Sequence, residues 1–295
     1  MKCVGLRAVT ITALLTLAVL VSASPAFATQ ARRTWQASLT GSGAAGTAVL
    51  VLYPNSSGTV TVNMDGLKPA TTYVQQIYKG TCSTPKTVVK LPNLRTDAKG
   101  HAARTMSLSS RSGAAIWSVG PTGVVAYRLS SGTSVRCSTL RYPTATRIAI
   151  ARYGIDLPIV YQSSGKYPYC NVAMYIAELS QPGEAGPTMI YAHARTGMFL
   201  PLLTASKVRN GAAMVGTTVK VWTSDNRLLK YVVTRVARNV YSWPSSDFTS
   251  EQLWIQTSEG PRGTPHKLFL LAKRVSVESA PRAHAHPTPH IVICR

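Results

Sequence analysis

The stretch Leu253-Trp254-Ile255-Gln256-Thr257-Ser258 decides how the second half of this chain is read. Its bulky and branched residues suit a strand. Glu259-Gly260-Pro261 stops that strand at once, because proline brings no ladder donor. Nine positions beyond Ser258, Lys267 opens a second apolar run, Leu268-Phe269-Leu270-Leu271-Ala272. Upstream, Met189-Ile190-Tyr191-Ala192-His193-Ala194 reads as a third strand ending on a histidine. A hydroxyl residue, a cation and a histidine at the ends of neighbouring strands suit acyl transfer.

The same patterning extends outward. Val219-Lys220-Val221-Trp222-Thr223 and residues 229–236 predict a hairpin turning at Asp225-Asn226. Ile148, Ile150, Ile155, Leu157, Ile159 and Val160 alternate around Pro158. Residues 199–208, after Gly197, are the one short helical stretch, with Gly211 to end it. The loop Gln181-Pro182-Gly183-Glu184-Ala185-Gly186-Pro187-Thr188 leads into the Met189 strand.

In this order, residues 147–277 resemble the sortase family. The resemblance implies a closed β-barrel with short helices, and a site in which a cysteine follows a threonine beside a histidine and an arginine. His193 matches the histidine and Thr257 the threonine, while Ser258 stands at the cysteine and Lys267 at the arginine. The resemblance also sets Thr257 and Tyr191 against the substrate. In such a site a thiolate attacks a backbone carbonyl, the arginine steadies the oxyanion, and the histidine protonates the departing amine.

Both substitutions change the chemistry. A serine hydroxyl is not ionised near neutrality and needs a positioned base. His193 fills that role if it is neutral and in reach, with Asp156 or Glu259 to orient it. Lys267 keeps the charge but loses the planar fork of arginine. With its pKa depressed by burial it becomes the base of a Ser–Lys pair instead. Arg262 and Arg274 are the fallback cations. A serine at a strand end is also an ordinary turn residue, and a lone histidine an ordinary surface one, so an inactive binding surface stays open beside the catalytic reading.

Residues 31–140 carry short alternating runs at 48–52, 59–64, 72–78, 102–108, 114–119 and 124–129, with turn residues about every 10 positions. This predicts an antiparallel β-sandwich, followed by a linker at 141–146, the barrel over 147–278 and a mobile Pro/His-rich tail over 279–295. The expected class is all-β. Asp65-Gly66-Leu67-Lys68-Pro69, Lys79-Gly80-Thr81-Cys82 and Asp97-Ala98-Lys99-Gly100 make the first domain similar to copper–zinc superoxide dismutase and CHRD-type sandwiches. Gln76 and Tyr78 stand where those proteins place histidines, and both are poor copper ligands. No metal or cofactor is expected, and His284, His286 and His290 in the tail lack a fourth ligand.

Lys2, Arg7, an apolar run over 9–21 and Pro25-Ala26-Phe27-Ala28 read as a signal segment cleaved after Ala28. The chain is therefore expected to be exported, at the cell wall or the outer membrane surface. Export permits disulfides. Cys82–Cys137 is the preferred pair because both fall in one domain, while Cys170 and Cys294 either pair or stay free. The net charge of +22 favours anionic wall polymer or a membrane surface as partner. Nucleic acid is excluded because the basic residues are scattered through β-rich sequence without a recognition motif. The expected function is transpeptidation of surface-protein sorting signals or its hydrolytic variant, and the alternative is an inactive wall- or peptide-binding module.

Overall fold

The computed structural model describes residues 33–41, 43–83, 86–119, 124–161, 168–244, 250–260 and 266–294. The expected signal segment, Pro261 and Arg262 lie outside the described residues. The first domain contains β1 (Arg33–Gly41), β2 (Ala44–Leu52), β3 (Gly58–Asp65), β4 (Thr72–Lys79), β5 (Lys86–Arg95), β6 (Ala102–Leu108), α1 (Ser110–Trp117), β7 (Val125–Ser131) and β8 (Ser134–Leu140). Period-two alternation builds it. Val60, Val62 and Met64 on β3 turn inward with Trp35, Ala37 and Leu39 on β1, while the intervening residues face out. The strands form two antiparallel sheets, β1-β2-β3-β6 and β5-β4-β7-β8, around one core.

Residues 114–119 are not a strand. Ser109 caps α1 by accepting from the Ser112 N–H, and Ala114, Ala115 and Ile116 continue as helix. Gly113 lets α1 lie on the backbone, since a Cβ there would sit 1.8 Å from the Ser56 carbonyl oxygen. The edge strands β5 and β8, absent from the predicted runs, pair with β4 and β7. Cys82 and Cys137 join as a disulfide.

The second domain contains β9 (Ala145–Ile150), β10 (Ile155–Tyr161), β11 (Ala173–Tyr175), β12 (Pro187–Tyr191), α2 (Leu200–Ser206), β13 (Thr218–Thr223), β14 (Arg227–Val240), β15 (Gln252–Ser258), β16 (Lys267–Ser279) and α3 (Arg282–Ala285). Its strands close into a barrel in the order β10-β11-β12-β15-β16-β14-β13-β9. Ile148, Ile150, Leu157, Tyr231, Val233, Leu253, Ile255, Leu268 and Leu270 fill its interior, with Phe199 and Leu202 packed among them. A second apolar cluster, with Met189, Tyr191, Trp254, Phe269 and Leu271, covers part of its outer face. The hairpin turns at Asn226, whose φ of 62° suits asparagine. α2 stops at Ser206, before the chain turns through left-handed Arg209, Asn210 and Gly211.

The stretch between the domains is short and tied at both ends. Gln36 and Arg141 exchange backbone hydrogen bonds of 2.7 and 2.9 Å, and β9 already begins at Ala145. The end of the chain, read from the sequence as mobile, is fastened. Ala285 is fully buried, His286 bonds Asn226 at 2.9 Å, and Cys294 is disulfide-bonded to Cys170.

The two domains are pinned by a buried ion pair. Arg33, 2 % exposed, donates to the Glu184 carboxylate at 3.2 Å and to the Leu179 carbonyl at 3.0 Å. Its guanidinium lies 4.2 Å from the centroid of Tyr142 and 4.9 Å from that of Trp117. Burial pushes the Glu184 carboxyl up to about 7, against the opposing pull of Arg33. Arg33→Ala leaves a buried carboxylate without its cation and is expected to cost about 3–5 kcal/mol in urea unfolding at neutral pH.

A raised carboxyl pKa stabilises the fold below the unfolded value, and that contribution is lost as pH rises through the folded value. The stability of the wild type relative to Glu184→Gln should therefore fall by about 3 kcal/mol between pH 4.5 and 7. A pH-independent difference would refute this environment for Glu184.

Candidate active site

Three strand ends converge on the outer face of the barrel. β12 and β15 run parallel with Tyr191 opposite Gln256. The Ala192 N–H continues the pairing to the Gln256 carbonyl at 3.3 Å, and His193 follows two residues beyond the end of β12. On the other side β15 and β16 are antiparallel, and Ser258 stands directly opposite Lys267.

Alternation then decides the face. Leu253 and Ile255 belong to the barrel interior and Trp254 to the outer cluster, so Ser258 shares the outer face with Trp254. By the same count Lys267 goes with Phe269 and Leu271.

Across the ladder the Lys267 Nζ donates to the Ser258 Oγ at 3.0 Å. Both residues are half-buried, and desolvation lowers the Lys267 pKa, which makes the neutral amine easier to reach. The arrangement is a hydroxyl held by a lysine whose charge is partly unsupported by water.

His193 is placed differently from the role that the resemblance gives it. Its Nε2 lies 2.7 Å from the Pro168 carbonyl oxygen. A carbonyl only accepts, so Nε2 carries the proton, and its hydrogen bond goes to Pro168 and not to Ser258. Neither expected acid orients this ring. Asp156 is paired with Arg147 at 2.5 Å, and Glu259 with Arg238 at 3.1 Å. Arg274 pairs with Glu251 at 3.1 Å and stands opposite Tyr231, well along β16 from Lys267.

Thr257, 2 % exposed, points inward, and its hydroxyl donates to the Ala192 carbonyl at 2.9 Å. It fixes the junction that carries His193. Tyr191 lies in the outer cluster, 7 % exposed, and its hydroxyl has no hydrogen-bond partner among the described residues. Burial holds that phenol well above its ordinary range. Exposed Tyr241 packs against His266 with its ring tilted and the centroids 4.4 Å apart, and half-exposed Trp243 meets Trp254 edge to face. Tyr241 and His266 are chain neighbours of the pair that Val240 on β14 makes with Lys267.

Reading the sequence did not find Pro168 or Arg195. A backbone carbonyl has no side-chain signature, although the even number of cysteines beyond the signal segment pointed to the neighbouring Cys170. The tail histidines do not gather: His286 bonds Asn226, and the His284 carbonyl accepts from Arg147. Among the described residues no group of three or more His, Cys, Asp or Glu side chains is placed to hold a metal ion.

No protein-family model and no curated protein matches this chain. Solved structures do. Sortase C1 of Streptococcus agalactiae in complex with MTSET is 17 % identical with a TM-score of 0.36, over 44 % of this chain and 66 % of that one. Sortase A of Listeria monocytogenes is 14 % identical with a TM-score of 0.38, over 48 % of this chain and 96 % of that one. Sortase C-1 of Streptococcus pneumoniae is 19 % identical with a TM-score of 0.34, over 44 % and 66 %. The chain thus spans just under two thirds of the length of the S. agalactiae and S. pneumoniae structures. Likeness of this degree carries nothing about chemistry or substrate, and the barrel is read from its own strand pairing.

The Thr257 bond gives a stability test. Thr257→Val keeps the shape and removes the donor to Ala192, and is expected to cost about 1–2 kcal/mol in urea unfolding. Unchanged stability would mean that the junction is held without that bond.

Proposed function

We propose that this protein is a serine-dependent acyl transferase or hydrolase in which Ser258 is the nucleophile and Lys267 its general base. The observation that carries this reading is the 3.0 Å contact of Lys267 Nζ with Ser258 Oγ, between partly buried groups fixed opposite each other on a paired ladder. Neutral Lys267 takes the hydroxyl proton as Oγ attacks an acyl carbon. The ammonium so formed returns a proton to the departing amine as the tetrahedral species collapses to an ester on Ser258. Attack by a second amine then gives a new amide, and attack by water gives the free acid.

The sortase resemblance of residues 147–277 supports a peptide donor of sorting-signal type and an amine acceptor. The expected signal segment, the two disulfides and the charge of +22 support an exported protein working at an anionic wall or membrane surface. No helix among the described residues is long and apolar enough to cross a membrane. The exposed Tyr241 and half-exposed Trp243 favour a second reading, a binding module that holds peptide on the same face without turning it over.

A fluorophosphonate probe separates the two. Labelling that maps to Ser258 by mass spectrometry, disappears in Ser258→Ala and falls by roughly 10²–10⁴ in Lys267→Ala is the expected result. Lys267→Arg should not restore it, because a guanidinium does not give up its proton. Equal labelling of wild type and Ser258→Ala would overturn the assignment. Because burial lowers the Lys267 pKa, the labelling rate should rise with pH along a limb that lies below the ordinary lysine range.

A further inference from the structure

The disulfide Cys170–Cys294 lies against the histidine of the candidate site. Pro168, whose carbonyl holds His193 Nε2 at 2.7 Å, is two residues before Cys170, and Cys294 Sγ is 3.5 Å from that same oxygen. On the loop that carries the histidine, the Arg195 guanidinium approaches Cys170 Sγ at 3.1 Å. The His193 backbone is held independently, by Phe199 N–H donating to its carbonyl at 3.0 Å beside the buried Phe199 ring. Main chain and side chain of His193 are thus anchored by different parts of the fold.

Among the described residues, few contacts besides the disulfide tie residues 291–294 down. Ile291, Val292 and Ile293 are 49, 49 and 73 % exposed, so they bury little apolar surface. The Cys170 N–H bonds the Val292 carbonyl at 2.8 Å, while the return bond is 3.5 Å long. A segment with two backbone bonds and exposed apolar side chains opens readily once its covalent tie is cut.

We propose that Cys170–Cys294 is a positioning disulfide: it fixes the Pro168 carbonyl that sets the tautomer and place of the His193 ring, and its reduction by a dithiol releases that histidine. In the reduction the Cys170–Cys294 bond breaks, two electrons and two protons pass to the two sulfurs, and the dithiol closes to its own disulfide. The restraint on His193 stands apart from the serine reading above, which gives both proton transfers to Lys267.

The test is ¹⁵N-histidine NMR on the full mature chain, with His193 assigned from the signal lost in His193→Gln. The disulfide-intact protein should show His193 as the Nε2–H tautomer with slow exchange of that proton. After dithiothreitol, and equally in Cys170→Ser/Cys294→Ser, the same ring should show mixed tautomers and exchange about tenfold faster, as expected for the loss of one hydrogen bond. Reduction in a Cys82→Ser/Cys137→Ser background assigns the effect to this pair, and decides the question if the Cys170→Ser/Cys294→Ser variant fails to fold. Identical tautomer and exchange before and after a reduction verified by mass would overturn the proposal. Fluorophosphonate labelling of Ser258, read in the same samples, fails or succeeds separately.

Discussion

The Arg33–Glu184 pair is the constraint on which the rest of the architecture depends. Taking two charges out of water costs several kcal/mol for each, and mutual attraction offsets this only where geometry and further hydrogen bonds are good. Here Arg33 also reaches the Leu179 carbonyl, Glu184 accepts from the Gln181 N–H at 2.7 Å, and Gln181 in turn accepts from Ala145 at the start of β9. The first residue of the first sandwich strand therefore organises the loop that feeds β12. A cavity of about 190 Å³ lies alongside, lined by Trp117, Glu178 and Pro187, at the opposite end of β12 from His193. The sandwich is part of how the barrel is held together and more than a spacer in front of it.

At the other end of β12 the governing physics is strand alternation. Thr257 turns into the barrel and Ser258 out of it, so one residue locks the junction while the next presents a hydroxyl. Ser258 and Lys267 suit each other as a pair. A serine needs a base where a cysteine needs little help, and a lysine can lose a proton where an arginine cannot. The partial burial of Lys267 moves it toward that role.

Much of this was legible in the sequence because it depends on local periodicity. Val60, Val62 and Met64 announce a half-buried strand, and Asp225-Asn226 announces a turn because asparagine tolerates positive φ. The places of Ser258 and Lys267 at strand ends followed from the same patterning, whereas β12 stops at Tyr191, two residues short of His193. What failed to show was decided by partners distant in sequence. The run at 114–119 reads as strand until the cap at Ser109 is seen. Arg33 and Glu184, 151 positions apart, look like ordinary surface charges until the chain between them is folded. The ring of His193 is set by a backbone carbonyl, which every residue has. Its destination is therefore invisible in any motif.

The parallel pairing of β12 with β15 has a kinetic consequence. Partners such as Thr257 and Ala192 are 65 residues apart, and the hairpin of β13 and β14 lies between them. Closing a loop of that length costs entropy before any contact offsets it, so such pairs form slowly and after local structure. The hairpin can zip early. The junction of β12 with β15 is then among the last parts of the barrel to assemble, and a chain caught before that step has most of its fold without the candidate site.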